Sequence, residues 1–200
     1  MQIGIFGGTF DPIHLGHLIV AEAVRVQVGL DKVIFIPAGD PWLKSERDVT
    51  GGGYRSAMVK LAIESNPHFE MSRMELDRPG PSYTVDTLDE LKSTLGNEDS
   101  LYFIVGPDAL AAFHRWKEPE RLVKMCTIIA VRRLGVSGID IATLEAEMPE
   151  VSGRIKQVDV PLIGISSTTI RSLVADGLSI RYLVPHEVEE YISQYKLYQT

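Results

Sequence analysis

MQIGIFGGTFDPIHLGH, residues 1–17, decides the fold. The apolar run Ile3 to Phe6 stops at Gly7 and Gly8. Past Asp11 and Pro12, His14 and His17 stand three residues apart, where an amphipathic helical pattern begins. The pattern predicts a strand over Gln2 to Phe6, a tight turn, and a helix over His14 to Val28. Glycines let backbone approach a ligand, the amides at a helix start hold an anion, and histidines one turn apart reach the same oxygens. The stretch therefore reads as a phosphate site. It matches neither common pattern, since a dinucleotide fingerprint needs GxGxxG and a P-loop needs GxxxxGK followed by Ser or Thr.

Working outward, Leu15, Leu18, Ile19, Ala23 and Val26 are the expected inward positions of the first helix, which Gly29 ends. KVIFIP, residues 32–37, is apolar throughout its middle, as a strand covered on both faces of a parallel sheet would be. Strand, helix, strand in so short a span implies a right-handed crossover and an α/β fold. The polar, Gly- and Pro-punctuated stretch Ala38 to Gly53 is long enough to be read as an active-site loop. A helix follows over Tyr54 to Ser65, then a strand over Phe69 to Glu75. Another helix, capped by Ser82 or Thr84, runs through Leu95, and a core strand spans Leu101 to Val105. Gly106, Pro107, Asp108 and a short helix through Phe113 repeat the opening order of strand, glycine, helix. PERLVKMC is a helix and CTIIAV a buried strand; Ile139 to Glu147 has helical character and Lys156 to Leu162 is strand material. Helices begin again at the serines of GISSTTIR and at Pro185.

The 200 residues, 44% hydrophobic with Gly and Pro spread along the chain, fit one domain over 1–200 with a full-sized core, residues 164–200 forming a helical part that closes the ligand site. Twenty basic against twenty-seven acidic residues give a net charge of −7, which excludes bulk binding to nucleic acid or an anionic membrane but not a local phosphate pocket. No segment has eighteen consecutive apolar residues, so a cytoplasmic protein is expected. The lone Cys126 can form neither an intrachain disulfide nor a cysteine-based metal site and reads as core.

The chemistry-bearing residues each have a plain alternative. His14 and His17 could be capped or half-buried helix-start residues, but beside Gly7, Gly8 and Thr9 phosphate contact is favoured; a metal site lacks HExxH and a third ligand in register. Ser166 and Ser167 can cap a helix or present its free amides to phosphate. Arg171 is either surface charge or a fork for a polyphosphate, and its guanidinium returns to the helix start only if the chain curls around the ligand. Lys44 and Arg55 are either solvated charges or anion ligands. Trp116 is either core or a planar face for a base, and Asp11, Asp86 and Asp108 serve equally as caps or as catalytic groups. No GxSxG elbow, paired cysteines or acid and base pair is present, which leaves direct transfer of a phosphoryl-linked group.

GGTFDPIHLGH closely resembles the signature of the HxGH nucleotidylyltransferase superfamily. The further motifs RSAM at Arg55 to Met58, SYTVDTL at Ser82 to Leu88, GPDAL at Gly106 to Leu110, FHRW ending at Trp116, and ISSTTIR resemble the bacterial nicotinate mononucleotide adenylyltransferases over nearly the whole chain. The resemblance implies a Rossmann-like open, mostly parallel sheet with helices on both faces. It implies that ATP, with Mg²⁺ on its phosphates, reacts with nicotinate mononucleotide to give deamido-NAD and pyrophosphate. It would give Gly8, Thr9, His14 and His17 the ATP phosphates, with Gly7, Phe10 and Ser166 beside them; Ser167 and Arg171 would hold the triphosphate. Gly16, Gly106, Asp108 and Ile165 would lie at the adenosine. Tyr83, Thr84 and Trp116 would enclose the pyridine nucleotide, and Lys44 would meet a phosphate. Where members commonly carry PPHK, this chain has Pro41, Trp42, Leu43 and Lys44, so Leu43 replaces the histidine and Trp42 is the candidate substitute. Nicotinamide mononucleotide as substrate, dual specificity, and a noncatalytic nucleotide sensor are the rival expectations, and a homodimer is left open.

Overall fold

A computed structural model describes residues 1–40, 49–96, 98–133, 141–161 and 163–199. Strands β1 (Gln2–Gly8), β2 (Lys32–Pro37), β3 (Phe69–Met71), β4 (Ser100–Val105), β5 (Thr127–Arg133) and β6 (Ile155–Val160) form one sheet in the order β3-β2-β1-β4-β5-β6. Every adjacent pair is parallel. The helices are α1 (Leu15–Val28), α2 (Gly52–Ile63), α3 (Met74–Asp77), α4 (Thr84–Thr94), α5 (Pro107–Ala111), α6 (Pro119–Met125), α7 (Ile141–Glu147), α8 (Ser167–Ala175) and α9 (His186–Gln194).

Strand alternation divides the core in two. In β2, Val33 and Phe35 enter one apolar layer and Ile34 and Ile36 the other; in β5, Ile129 and Val131 part from Ile128 and Ala130 in the same way. The first layer packs α1, α2, α8 and α9 through Ala21, Val24, Met58, Val59, Ile170, Val188 and Ile192. The second packs α4, α5 and α6 through Leu88, Leu91, Leu110 and Leu122, and Cys126 is buried there as expected. This is the expected open sheet with helices on both faces, and it is parallel throughout.

Several local expectations are corrected. In α1 the fully buried positions are Gly16, Ala21 and Val24, and Leu18 and Ala23 pack on the core as expected, whereas Ile19 and Val26 are 39% and 62% exposed. LGHLIVAEAVRVQV is apolar nearly all round, so periodicity alone does not fix which face turns inward, and packing on the sheet does. The strand expected over Phe69 to Glu75 ends at Met71, and α3 occupies Met74–Asp77. Neither Ser82 nor Thr84 caps α4: Tyr83 holds the cap position, while Ser82 Oγ accepts the backbone N–H of Gly39 at 2.9 Å. Asp11 does not cap α1, whose first position is preceded by His14.

The chain runs outward from β1 through β2 to β3, then returns to place β4 on the other side of β1. At this switch of direction the loops after β1 and β4 diverge and leave a crevice at the carboxyl ends of the strands, where ligands of open α/β sheets bind.

Candidate active site

The crevice holds two chambers. The larger, about 540 Å³, is lined by the loop Gly7, Gly8, Thr9 and Phe10, by His14, Gly16 and His17 of the α1 start, and by Gly106 and Asp108 after β4. Ile165, Ser166, Ser167 and Arg171 close it from the α8 side. These sequence-expected ATP residues thus converge from three helix starts, although more than 150 residues separate Pro12 from the Ser167 hydroxyl that donates to its carbonyl at 2.9 Å.

The two histidine rings stack, with centroids 3.7 Å apart. The backbone N–H of His14 donates to His17 Nδ1 at 3.2 Å, so in the neutral ring the proton resides on Nε2. His14 is buried, and burial lowers its pKa to about 4, so it is neutral at pH 7. Its Nδ1 is buried with no hydrogen-bond partner among the described residues. Gly16 is required beside it: a Cβ there would lie 3.0 Å from the His14 ring. Phe10 is the least ligand-like of the expected contacts, because its ring belongs to the core and packs on Phe6, Phe35 and His17.

Arg171 does return to the first loop. Its Nη1 donates to the Asp11 carbonyl at 2.6 Å and Nη2 to Thr168 Oγ1 at 3.2 Å. The reading of Arg171 as surface charge is thereby overturned. Ser166 is the α8 cap, its Oγ accepting from Thr169 N at 3.1 Å, and Ser167 is turned toward Pro12.

The smaller chamber, about 240 Å³, shares Gly7, Gly8, Thr9 and Gly106 with the first and is walled by Tyr83, Thr84, Phe103 and Trp116. Tyr83 and Thr84 stand where α4 begins and line the chamber. Trp116 lies edge-on to Phe103 with ring centroids 5.6 Å apart, and its Nε1 is buried without a partner among the described residues. A buried donor left open in a cavity wall fits a ligand that brings an acceptor.

Sequence reasoning missed four contributors. Lys117 lines the smaller chamber, its Nζ 4.8 Å above the Tyr83 ring and 2.9 Å from an Asp86 carboxylate oxygen. Glu75, pushed up in pKa by burial, accepts from Thr87 Oγ1 at 2.7 Å in the same wall. Gly39 sits so close to α3 that a Cβ would fall 2.0 Å from the Glu75 carbonyl oxygen. Arg55 is neither solvated nor an anion ligand. It is 2% exposed and donates at 2.7 Å to each of three carbonyls, those of Thr9, Ala38 and Thr50, pinning the loops after β1 and β2 to α2. Only the position of Arg55 at a helix start carried a signal, and that signal is shared with surface arginines. Lys44, Trp42 and Leu43 lie outside the described residues.

Residues 5–173 match the cytidylyltransferase-like family, which sets the class as a nucleotidyltransferase. The chain is 48% identical over its whole length, and 95% of the relative's, to the "Probable nicotinate-nucleotide adenylyltransferase" of Thermoanaerobacter sp. (strain X514). It is 44% identical to the protein of the same name in Thermomicrobium roseum, covering all of this chain and 92% of the relative. The fold is that of the nicotinic acid mononucleotide adenylyltransferase of Plasmodium falciparum complexed with NaAD, with a TM-score of 0.80 at 22% identity over 98% of this chain and 97% of that one. The chain belongs to the nicotinate-nucleotide adenylyltransferase family. Among the described residues no helix is long and apolar enough to cross a membrane.

Proposed function

We propose that the protein transfers AMP from ATP to nicotinate mononucleotide, giving deamido-NAD and pyrophosphate, as a step of NAD biosynthesis. The observation that carries the reading is the shared floor: two chambers of unlike chemistry meet at Gly7, Gly8, Thr9 and Gly106, where two nucleotides bound one in each would bring their phosphates together. The 5′-phosphate oxygen of nicotinate mononucleotide attacks the α-phosphorus of ATP as the bond from that phosphorus to the β-phosphate oxygen breaks. No protein nucleophile is needed, since the attacking phosphate is largely ionised near neutral pH.

In this reading the larger chamber takes ATP. His17 offers Nε2–H, His14 acts as a neutral donor or gains a proton as the triphosphate enters, and Arg171 bridges the Asp11 carbonyl and the phosphates. Ser166, Ser167 and the α8 amides hold the leaving group, with Gly16, Asp108, Gly106 and Ile165 around the adenosine. Lys44 would add charge from its loop. Trp116 stacks on the pyridine, and the amides at Tyr83 and Thr84 read its carboxylate. Residues 164–199 act as the closing side of the ATP chamber.

Among the described residues there is no group of three His, Cys, Asp or Glu side chains that could hold a metal; in this reading Mg²⁺ arrives on the ATP phosphates. There Mg²⁺ would neutralise phosphate charge. A cytoplasmic location completes the reading. The deciding experiment measures pyrophosphate release from ATP with nicotinate mononucleotide, nicotinamide mononucleotide or phosphopantetheine as acceptor. Release with the nicotinate substrate well above the others is expected. Release highest with the amide would make the carboxylate assignment wrong, and none with any acceptor would indicate a nucleotide sensor.

A further inference from the structure

Asp11 lies in the phosphate loop and lines the larger chamber, yet its carboxylate is engaged by protein groups, with the residue 2% exposed. Oδ1 accepts the hydroxyl proton of Tyr198 at 2.7 Å, and Oδ2 lies 3.4 Å from the Thr50 amide. The Arg55 guanidinium adds favourable charge, and that same guanidinium holds the Thr9 and Thr50 carbonyls. From the cavity side, Arg171 hangs on the carbonyl of this one residue, Asp11. Whatever fixes Asp11 therefore fixes the base from which Arg171 is aimed.

The segment that delivers Tyr198 is folded back at a conformational cost. After α9, Lys196 adopts φ 51° and Tyr198 φ 62°, left-handed values that side chains other than glycine rarely take. The Lys196 amide donates to the Ser193 carbonyl at 3.2 Å and the Leu197 amide to the Ile192 carbonyl at 3.0 Å. Those two bonds form a complete Schellman turn with lysine where glycine would be unstrained. Leu197 then packs on the core layer beneath α1, and the Tyr198 ring lies beside it. Burial and the Asp11 carboxylate both push the Tyr198 hydroxyl pKa upward, so it stays a proton donor throughout the physiological range. Strain of this kind persists where the surrounding contacts over-determine it, and here those contacts end on the phosphate loop.

We propose that Tyr198 is a positioning residue for ATP: its hydroxyl, bonded to Asp11, locks the phosphate loop from behind so that the loop backbone and Arg171 meet the triphosphate without rearrangement. The inference rests on the reading of the larger chamber as the ATP chamber. It assigns to a residue outside the cavity lining an effect on one substrate and not on the other, since Ser82, which leads into Tyr83 and Thr84, is held by its own bonds to the Gly39 amide and the Asp40 carbonyl rather than by Asp11.

The test compares Tyr198→Phe with Tyr195→Phe, a control on the same segment whose ring contacts Tyr54 and Tyr191 rather than the loop. Loss of one hydrogen bond to a buried carboxylate should weaken ATP about ten-fold in the Tyr198 variant, read as a higher KM for ATP and as weaker binding of a non-hydrolysable ATP analogue by calorimetry. KM for nicotinate mononucleotide should stay within about two-fold, and the Tyr195 variant should match the wild type for both. The ring is kept, so the Tyr198 variant should fold. Equal losses for both substrates, a lowered melting temperature with unchanged ATP binding, or no change at all would each overturn the proposal. If the wild type fails to turn over nicotinate mononucleotide, the functional reading fails, while the analogue titration still judges the lock.

Discussion

The two chambers differ in how their walls are made. The larger chamber is assembled from the starts of α1, α5 and α8, which the sequence places far apart, and its loops are tied by side chains that donate to backbone carbonyls, Ser167 and Arg171 of α8 to those of Pro12 and Asp11 and Arg55 to that of Thr9. The smaller chamber is an aromatic slot of Phe103, Tyr83 and Trp116, held by ring packing and by a short run of backbone bonds, among them Ser82 N to the Asp40 carbonyl at 2.9 Å. The first wall must position charge and therefore depends on its backing; the second must present shape and depends on local packing.

The harshest way to break the contrast is Arg55→Met. It leaves three buried carbonyls without a donor and Asp11 without its neighbouring charge, so about 3–5 kcal/mol of stability should be lost, read from urea unfolding. Retention of wild-type stability would mean that the loops hold themselves. Within the chamber, His17→Ala should lower kcat on the order of 10²–10³-fold with little change in ATP binding, because its donor meets charge that develops during transfer. A pure KM effect would move His17 from the reacting phosphate to ground-state binding.

Across the crevice, Trp116→Ala should weaken nicotinate mononucleotide about 10–100-fold and leave ATP affinity unchanged. If ATP suffers instead, the assignment of the two chambers is reversed. A pH titration sharpens the comparison further. Burial lowers the His14 pKa on folding from the ordinary 6.5 to about 4, so between these values the unfolded chain binds a proton that the folded chain refuses. Stability must therefore rise with pH across that window and is fully present above it; about 2 kcal/mol should be lost on going from pH 7 to pH 5, and His14→Gln should flatten this slope. The smallest effect expected is that of Ser166→Ala, about 1 kcal/mol for a lost cap, measured by thermal unfolding.

Much of this was readable in the chain. Gly7, Gly8 and the His14 and His17 pair announced the first chamber, because strand, turn and helix start are local and the spacing of two histidines on one turn is set by helix geometry alone. SYTVDTL and the FHRW tryptophan announced the second by resemblance. Where reading failed, the reason was nonlocal. Arg55 looked like any exposed basic residue at a helix start, and nothing nearby says that three carbonyls from three segments will converge on it. The phase of α1 was undetermined since its apolar residues surround it, and Asp11 looked like a cap because a cap needs only its own neighbours.

The sequence by itself determined the alternation of strands and helices and the parallel sheet, which follow from periodicity and turn residues within short spans. Only the tertiary structure decided that α8 would face α1 across one cavity, that Arg171 would hang on Asp11, and that Tyr198 would reach back to the same residue. Those contacts join positions 160 and 187 residues apart, and no local preference encodes them. They form because burying the apolar faces of α8 and α9 against α1 and α2 leaves these polar groups next to one another, and a buried polar group must find a partner.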